Sequence, residues 1–417
     1  MKTILKNIIS SLLAFRARGF LKKHRVQVIA VTGSIGKTST RAAIYTVLQK
    51  RFKAHSSKKS FNTELGVSLA ILQEDESGFT SPIAWLKILW RAFFVKKPLY
   101  QKIVLEMGAD KPGDIKKLMR IAPPRVSVVT NVNPVHLGEG QFKDMAAIAK
   151  EKGTLVKYLP KTGVAILNFD DPYVRQMETK AAKFTYTLNE PGMLKAQHVQ
   201  MTAKDIRFEV VFKGQTEKFK VPVIGEFQVY VLLPAIAVGL QMGMSLKECA
   251  EALSEFRLPA GRMNPIEGVN RTQIIDGSYN ASPSTVAAAL ELLPKLKATR
   301  KIAALGMMNE LGDYTHEAHL EIGQKAASTA DWLVAVGQEA PTMKKGAMLA
   351  GMKESDIFTF FDSEEAGHFL CEKLRLGDLV LVKGSQNKVR MEKLVKLIMK
   401  HPELASSLLC RQEKAWD

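Results

Sequence analysis

Between an apolar, β-rich run at residues 26–32 (VQVIAVT) and an amphipathic stretch at residues 41–49 stands Gly33-Ser34-Ile35-Gly36-Lys37-Thr38. A glycine turn of this kind needs a strand leading in and a helix leading out, so it commits the chain to a strand–loop–helix unit within a parallel α/β sheet. Glycines let backbone wrap closely round a phosphate so that several N–H groups point at it, and the helix N-terminus adds positive potential. Lys37 can then neutralise the β and γ oxygens, and the Thr38 hydroxyl can ligate magnesium. The spacing is G-x-x-G-K-T; the longer G-x-x-x-x-G-K form would need glycine in place of Val31. Gly33, Ser34, Gly36, Lys37, Thr38 and Ser39 are therefore the candidate ATP contacts.

The alternation continues with buried-strand candidates at residues 102–105, 126–130 and 164–167, separated by helix-like segments. Residues 198–223 change to short alternating strands, read as antiparallel hairpins at the sheet edge, and helices are expected at 229–242 and 246–253. The segment FRLPAGR at residues 256–262 carries Pro and Gly between periodic stretches and marks a boundary. Beyond it, strands are expected at 272–275, 301–305, 332–336, 357–361 and 379–382. The chain thus reads as a basic amphipathic helix (1–25) and a P-loop domain with a mostly parallel central sheet (26–258). A smaller doubly wound, Rossmann-like α/β domain (259–417) follows.

Lys plus Arg number 60 against 41 Asp plus Glu, a formal net charge of +19 that favours anionic partners. No nucleic-acid module is recognisable, so none is expected. Cys249, Cys371 and Cys410 lie far apart, which supports neither a disulfide framework nor a zinc site and suits a reducing, cytoplasmic compartment. In the first 25 residues the apolar run at 8–15 falls well short of the ~20 residues that span a bilayer. That helix either packs on the protein's own body or lies on a membrane surface. Residues 84–100 (AWLKILWRAFFVKKPLY) interleave Trp85, Trp90, Phe93 and Phe94 with Lys and Arg, which suits either a packed helix or the inner membrane face.

The stretch VTGSIGKTST resembles the nucleotide loop of the Mur ligases, and further matches follow in order to the C-terminus. Asn62-Thr63-Glu64-Leu65-Gly66-Val67 is similar to the family segment after the first helix. Glu106-Met107-Gly108-Ala109 resembles the strand end bearing a magnesium-binding glutamate, and Thr130-Asn131-Val132 with His136-Leu137 resembles the next strand end and the magnesium-site histidine. In a parallel sheet, ligands collect beyond the carboxyl ends of strands, where Glu106, Asn131 and His136 fall. Glu106 is also a hard-oxygen donor. Ala149-Lys150-Glu151-Lys152-Gly153 resembles the family position where a lysine becomes a carbamate beside the second magnesium. Spacing to Asn168-Phe169-Asp170-Asp171 favours Lys152, with Lys150 the alternative. Pro259-Ala260-Gly261-Arg262 is similar to the entry to the C-terminal domain. Three segments resemble one branch, which joins D-alanyl-D-alanine to UDP-N-acetylmuramoyl-tripeptide: DGSYNASP from Asp276, GMMNELG from Gly306 with His319 after it, and LVKGSQ from Leu381.

The resemblance implies an ATP-dependent amide-bond ligase of peptidoglycan precursor synthesis, working through an acyl phosphate. It implies Lys37, His136, Lys152 and Arg262 as catalytic, with Thr38, Glu106, His136 and Lys152 around magnesium. Asn131, Arg262, Asp276, Tyr279 and Asn280 would join the ATP contacts. Asn62, Thr63, Glu310, His319, Lys383 and Ser385 would face a muramoyl-peptide carboxylate or an amino-acid or dipeptide amine. Tyr279 and Asn280 also read as turn residues, and Lys383 as a strand-end lysine. Gly225-Glu226-Phe227-Gln228 stands where the family has G-x-H-N, Met307 replaces an aspartate and Gln386 an arginine. Only about 30 residues precede Gly33, so the family's N-terminal uridine-binding domain is expected to be absent. That keeps open a polyglutamate or lipid-linked substrate; a membrane-associated P-loop ATPase is the reading from another class.

Overall fold

The computed structural model describes all residues except 1, 58–60, 75–81, 95–97, 135–140, 203, 387–388 and 414–417, and the side chains of 2–7 and 82–86 are outside the description as well. His136 and the Trp85 side chain fall in these segments. The chain divides into two compact units: Met1–Val199 with Arg207–Val221 and Gln228–Phe256, and Arg257–Asp417 with Gln200–Ile206 and Pro222–Phe227. The main division thus falls at Phe256/Arg257, and two short segments before it belong with the second unit.

The first unit is built on a sheet whose strands are β1 (Gln27–Thr32), β2 (Ala54–Ser56), β3 (Lys102–Glu106), β4 (Val126–Val129), β5 (Val164–Asn168), β6 (Ala182–Thr187), β7 (Leu194–Met201), β8 (Ile206–Phe212) and β9 (Gln215–Val221). Their order is β2-β3-β1-β4-β5-β6-β7-β8-β9. β1 lies between β3 and β4, parallel to both, which sets the phosphate loop on an interior strand at the carboxyl edge. Continuous apolar runs explain this position, because a strand buried on both faces needs no polar alternation. Val28 and Ala30 join one core with helices α1 (Lys2–His24), α3 (Glu64–Ile71), α5 (Asp114–Ile121) and α6 (Met145–Lys157). Among the described side chains of α1 the buried ones are Leu13, Ala17, Phe20 and Leu21, a helical stripe. Helix α2 (Lys37–Gln49) packs instead on the helices Val229–Gln241 and Leu246–Ser254.

The hairpins expected at residues 198–223 are present as β7 to β9, but β7 begins earlier and pairs parallel with β6, a strand the sequence reading passed over. β8 and β9 are joined by Lys213-Gly214, both with positive φ (48° and 78°), the two-residue turn that antiparallel neighbours require. Helix α4 (Pro82–Phe94) covers most of the aromatic–basic segment.

The second unit carries β10 (Asn264–Glu267), β11 (Gln273–Gly277), β12 (Arg300–Gly306), β13 (Trp332–Val336), β14 (Ile357–Phe360) and β15 (Asp378–Lys383). The order is β10-β11-β15-β12-β13-β14, parallel throughout except for β10 against β11. The chain runs outward from β12 through β14 and returns on the other side of β12 as β15. This makes a topological switch whose carboxyl edge is where ligands collect in such sheets.

Candidate active site

In the first unit the 33–36 loop is held from behind by the end of β4. Gly33 (φ 145°) must be glycine, because a Cβ there would lie 1.9 Å from Thr130 Oγ1. Ser34 N donates to Asn131 O (3.0 Å), Ile35 N to Asn131 Oδ1 (2.8 Å), and Ile35 O accepts from Thr130 Oγ1 (2.8 Å) and Asn131 Nδ2 (3.1 Å). Ser34 Oγ donates to Asn133 O (3.0 Å) and accepts from Asn133 N (2.9 Å). Asn131, read from sequence as a nucleotide contact, thus places both ends of its amide on the loop and braces it. Lys37 Nζ folds back onto Gly33 O (2.9 Å) and Ser34 O (3.1 Å), setting an ammonium over the loop. Gly36 (φ 82°) caps α2 without a side-chain hydrogen bond, which leaves the positive end of the helix suited to an anion.

The Thr38 hydroxyl donates to Glu106 Oε2 at 2.9 Å, and both residues are buried, so two hard-oxygen donors brought from α2 and β3 already meet at one point. Arg41 Nε stands 3.8 Å from the same carboxylate oxygen. Among the described residues no group of three His, Cys, Asp or Glu forms a closed metal cage. That donor set fits magnesium, which takes one or two protein oxygens and completes its octahedron with phosphate and water.

Lys152 is only 2% exposed. Burial, reinforced by the nearby charge of Lys37, lowers its ammonium to about 7, against the opposing pull of Glu151 and Asp110. Lys150 is exposed on α6. Two helical residues two positions apart point about 200° away from each other, which is why one lysine faces the loop's charge and the other faces solvent. Glu151, which the sequence reading passed over, accepts from Gly113 N and Ile115 N, both at 2.8 Å, and so closes the N-terminus of α5.

Thr63 accepts from Gly66 N as the N-cap of α3, and Asn62 lies over Gly108, where a Cβ would come within 2.8 Å of its Nδ2. Asp170, used in the sequence only as a spacing landmark, is a hub: it accepts from Thr187 Oγ1 (2.5 Å), Leu188 N (2.6 Å), Glu190 N (3.0 Å) and Tyr230 Oη (2.9 Å). These hydrogen bonds hold its carboxyl below the usual range despite burial. Tyr230 gave no signal, since its partner lies 60 residues earlier.

In the second unit β11 ends at Asp276-Gly277 and turns through Ser278-Tyr279-Asn280 into the helix Pro283–Leu290, started by a capping box of Ser282 and Thr285. The Arg262 guanidinium lies 3.9 Å from the centre of the Tyr279 ring, and that of Arg411 lies 5.1 Å from it. Arg411 also donates to Glu392 Oε2 (2.9 Å), Ser278 O (3.4 Å) and Tyr279 O. Lys383 Nζ donates to Asn280 O at 3.2 Å; burial and the neighbouring Arg262 lower it to about 8. Asp276 is fully buried, which raises its carboxyl even though Ser278 N donates to it. Ser385 Oγ donates to Ala281 O (2.9 Å) and accepts from Asn309 N (3.0 Å), tying three strand ends together.

His319 stands apart from the substrate role expected of it. It is wholly buried, its Nε2 accepts from Met308 N (2.9 Å), and Nδ1 therefore carries the proton toward Thr315 O (2.6 Å). Burial lowers its pKa, so it is a neutral brace of the turn after β12. Glu310 is exposed beyond that turn at φ 65°. Met307 packs in the core, and the Gln386 carbonyl accepts from Asn309 Nδ2 at 2.8 Å.

Residues 31–239 match the Mur ligase middle domain and residues 261–386 the glutamate ligase domain of Mur ligases. The chain belongs to the Mur ligase family and is an ATP-dependent acid–amino acid ligase. It is 28% identical over 391 residues to the UDP-N-acetylmuramoyl-tripeptide–D-alanyl-D-alanine ligase of Bacillus subtilis, spanning 93% of this chain and 79% of that one. To the enzyme of the same name from Mycobacterium leprae it is 31% identical, over 86% of this chain and 71% of that one. Among solved structures it is similar to the MurF ligase of Thermotoga maritima in complex with ADP, with a TM-score of 0.78, 26% identity and coverage of 94% and 84%.

Proposed function

We propose that the chain joins D-alanyl-D-alanine to a UDP-N-acetylmuramoyl-tripeptide, the reaction for which its relatives are named. The observation that carries the reading is the Lys37 ammonium over the 33–36 loop, with Thr38 and Glu106 meeting beside it. A carboxylate oxygen of the muramoyl peptide attacks the γ-phosphorus of ATP, the bond to the bridging oxygen breaks, and ADP leaves. The dipeptide amine then attacks the acyl carbon, phosphate leaves, and the nitrogen gives up one proton. Lys37 and the α2 N-terminus stabilise charge spread over the transferring oxygens, and such preorganised stabilisation dominates phosphoryl transfer. Thr38 and Glu106 would hold magnesium, which when bound neutralises the β and γ oxygens.

Lys152 is the proposed carbamate. Its amine, which burial makes far easier to deprotonate than an ordinary lysine, attacks carbon dioxide in its neutral form, a nitrogen–carbon bond forms, and one proton leaves. Burial beside Lys37 supports this, since an anion there relieves the repulsion between two ammonium groups. His136 enters the same set on its sequence motif alone. In the second unit Arg262 and Lys383, with Tyr279 and Asn280, are proposed to receive anionic groups of the substrates. The proposed compartment is the cytoplasm.

Purified protein given ATP, magnesium, the muramoyl-tripeptide nucleotide and D-alanyl-D-alanine should release phosphate only when both substrates are present. Release that ignores the amine would overturn the ligase reading.

A further inference from the structure

Helix α1 has two apolar stripes. Leu13, Ala17 and Phe20 are buried in the first unit's core, whereas Ile8, Leu12 and Phe15, at i, i+4 and i+7, are 52%, 47% and 81% exposed. Helix α4 repeats the arrangement: Ile88 and Ala92 turn inward, while Trp90, Phe93 and Phe94 are 65%, 46% and 59% exposed. The Trp90 and Phe94 rings sit 4.8 Å apart, forming an aromatic ledge. Arg16, next to Phe15, donates to the Phe93 carbonyl at 3.2 Å, which brings the two outward rows together where the helices meet.

The charges carried by the two helices themselves have one sign, with Arg91 paired to Glu74 at 3.1 Å. Residues 1–25 hold seven Lys or Arg and no Asp or Glu, and residues 82–94 hold two and none. No described helix is long and apolar enough to cross a membrane.

We propose that the outward faces of α1 and α4 dock on the surface of an anionic lipid bilayer. Exposed aromatic rings belong at the level of the headgroups, apolar side chains enter the acyl boundary, and Lys and Arg meet anionic lipid. A second copy of the chain is a poorer occupant, because two faces this rich in cations repel. The inference goes beyond the ligase reading and is tested without any substrate.

The full chain is sedimented with vesicles of phosphatidylcholine, alone or mixed with phosphatidylglycerol, at low and high salt. Binding should be at least about tenfold tighter to the anionic vesicles and should weaken with salt. Leu12→Ser, Phe15→Ser, Trp90→Ser and Phe94→Ser combined should lower the partition by at least about tenfold, because four apolar side chains no longer insert. Lys22→Gln and Lys23→Gln should each cost about fivefold on anionic vesicles and little on neutral ones. All six positions are exposed, so melting temperature confirms that each variant folds. The proposal fails if the intact chain stays in the supernatant with anionic vesicles at low salt, or if the serine variant sediments as the wild type does. A wild-type dimer that the serine variant splits, with no vesicle binding, would assign the face to a second copy and equally overturn it.

Discussion

The carboxyl edges of the two units, both proposed to receive anionic groups, are built by opposite means. In the first, the site is mostly backbone: a glycine at 33 that no side chain could replace, a helix N-terminus, and an asparagine spent entirely on bracing. In the second it is mostly side chain: a tyrosine ring beside two guanidinium groups, and a buried lysine tied to a turn carbonyl. A backbone site should fail when an atom is added or its one charge is lost, whereas a side-chain site should fail in graded fashion as contacts are removed.

The sharpest test of that contrast is Lys37→Ala, which should cut turnover roughly 10³-fold in steady-state phosphate release while leaving the melting temperature nearly unchanged. Retained turnover would break the comparison at its strongest point. Lys152→Ala should lose about 10²-fold and recover in part with added formate or acetate, whereas Lys150→Ala should behave as wild type. The same lysine also gives a pH test. Its folded pKa of about 7 lies well below that of a lysine in the unfolded chain, so between the two the unfolded chain binds the extra proton and stability rises with pH. Below pH 7 the cost of burying the ammonium is present in full. Lys152→Met should therefore gain a few kcal/mol over wild type at pH 6 in urea unfolding, and the gain should shrink as pH rises toward 10. Lys383, lowered only to about 8, should show a smaller gain when replaced by Met.

On the side-chain edge, Arg411→Ala removes one partner of the buried Glu392 and should cost about 3 kcal/mol in denaturant unfolding, with Arg411→Lys recovering part. The smallest expected effect separates a cap from a contact. Thr63→Ala should cost about 1 kcal/mol of stability as a lost N-cap and leave the KM for either substrate unchanged. A tenfold rise in KM would return Thr63 to substrate binding.

The loop was legible because its chemistry is local: a strand, two glycines, Lys-Thr and a helix follow one another within about 20 residues. The positions of most strands and the second doubly wound unit were legible from apolar runs separated by helical periods, but the order of the strands was not. What escaped was whatever depends on contacts distant in sequence. Asp170 and Tyr230, Glu151 at the head of α5, and Arg411 against Tyr279 carry no local pattern. His319 sat in a recognisable segment, yet only its burial and two hydrogen bonds show that it braces the chain. Spacing favoured Lys152 over Lys150, but that one is buried and the other exposed shows only in which face of α6 turns inward.

Arg411 reaches back 132 residues to Tyr279. On a ribosome, the turn it fastens emerges long before the arginine itself, so the turn waits unfastened while the following 132 residues are made. A nascent or prematurely ended chain would carry the phosphate loop complete and the Tyr279 turn unfastened.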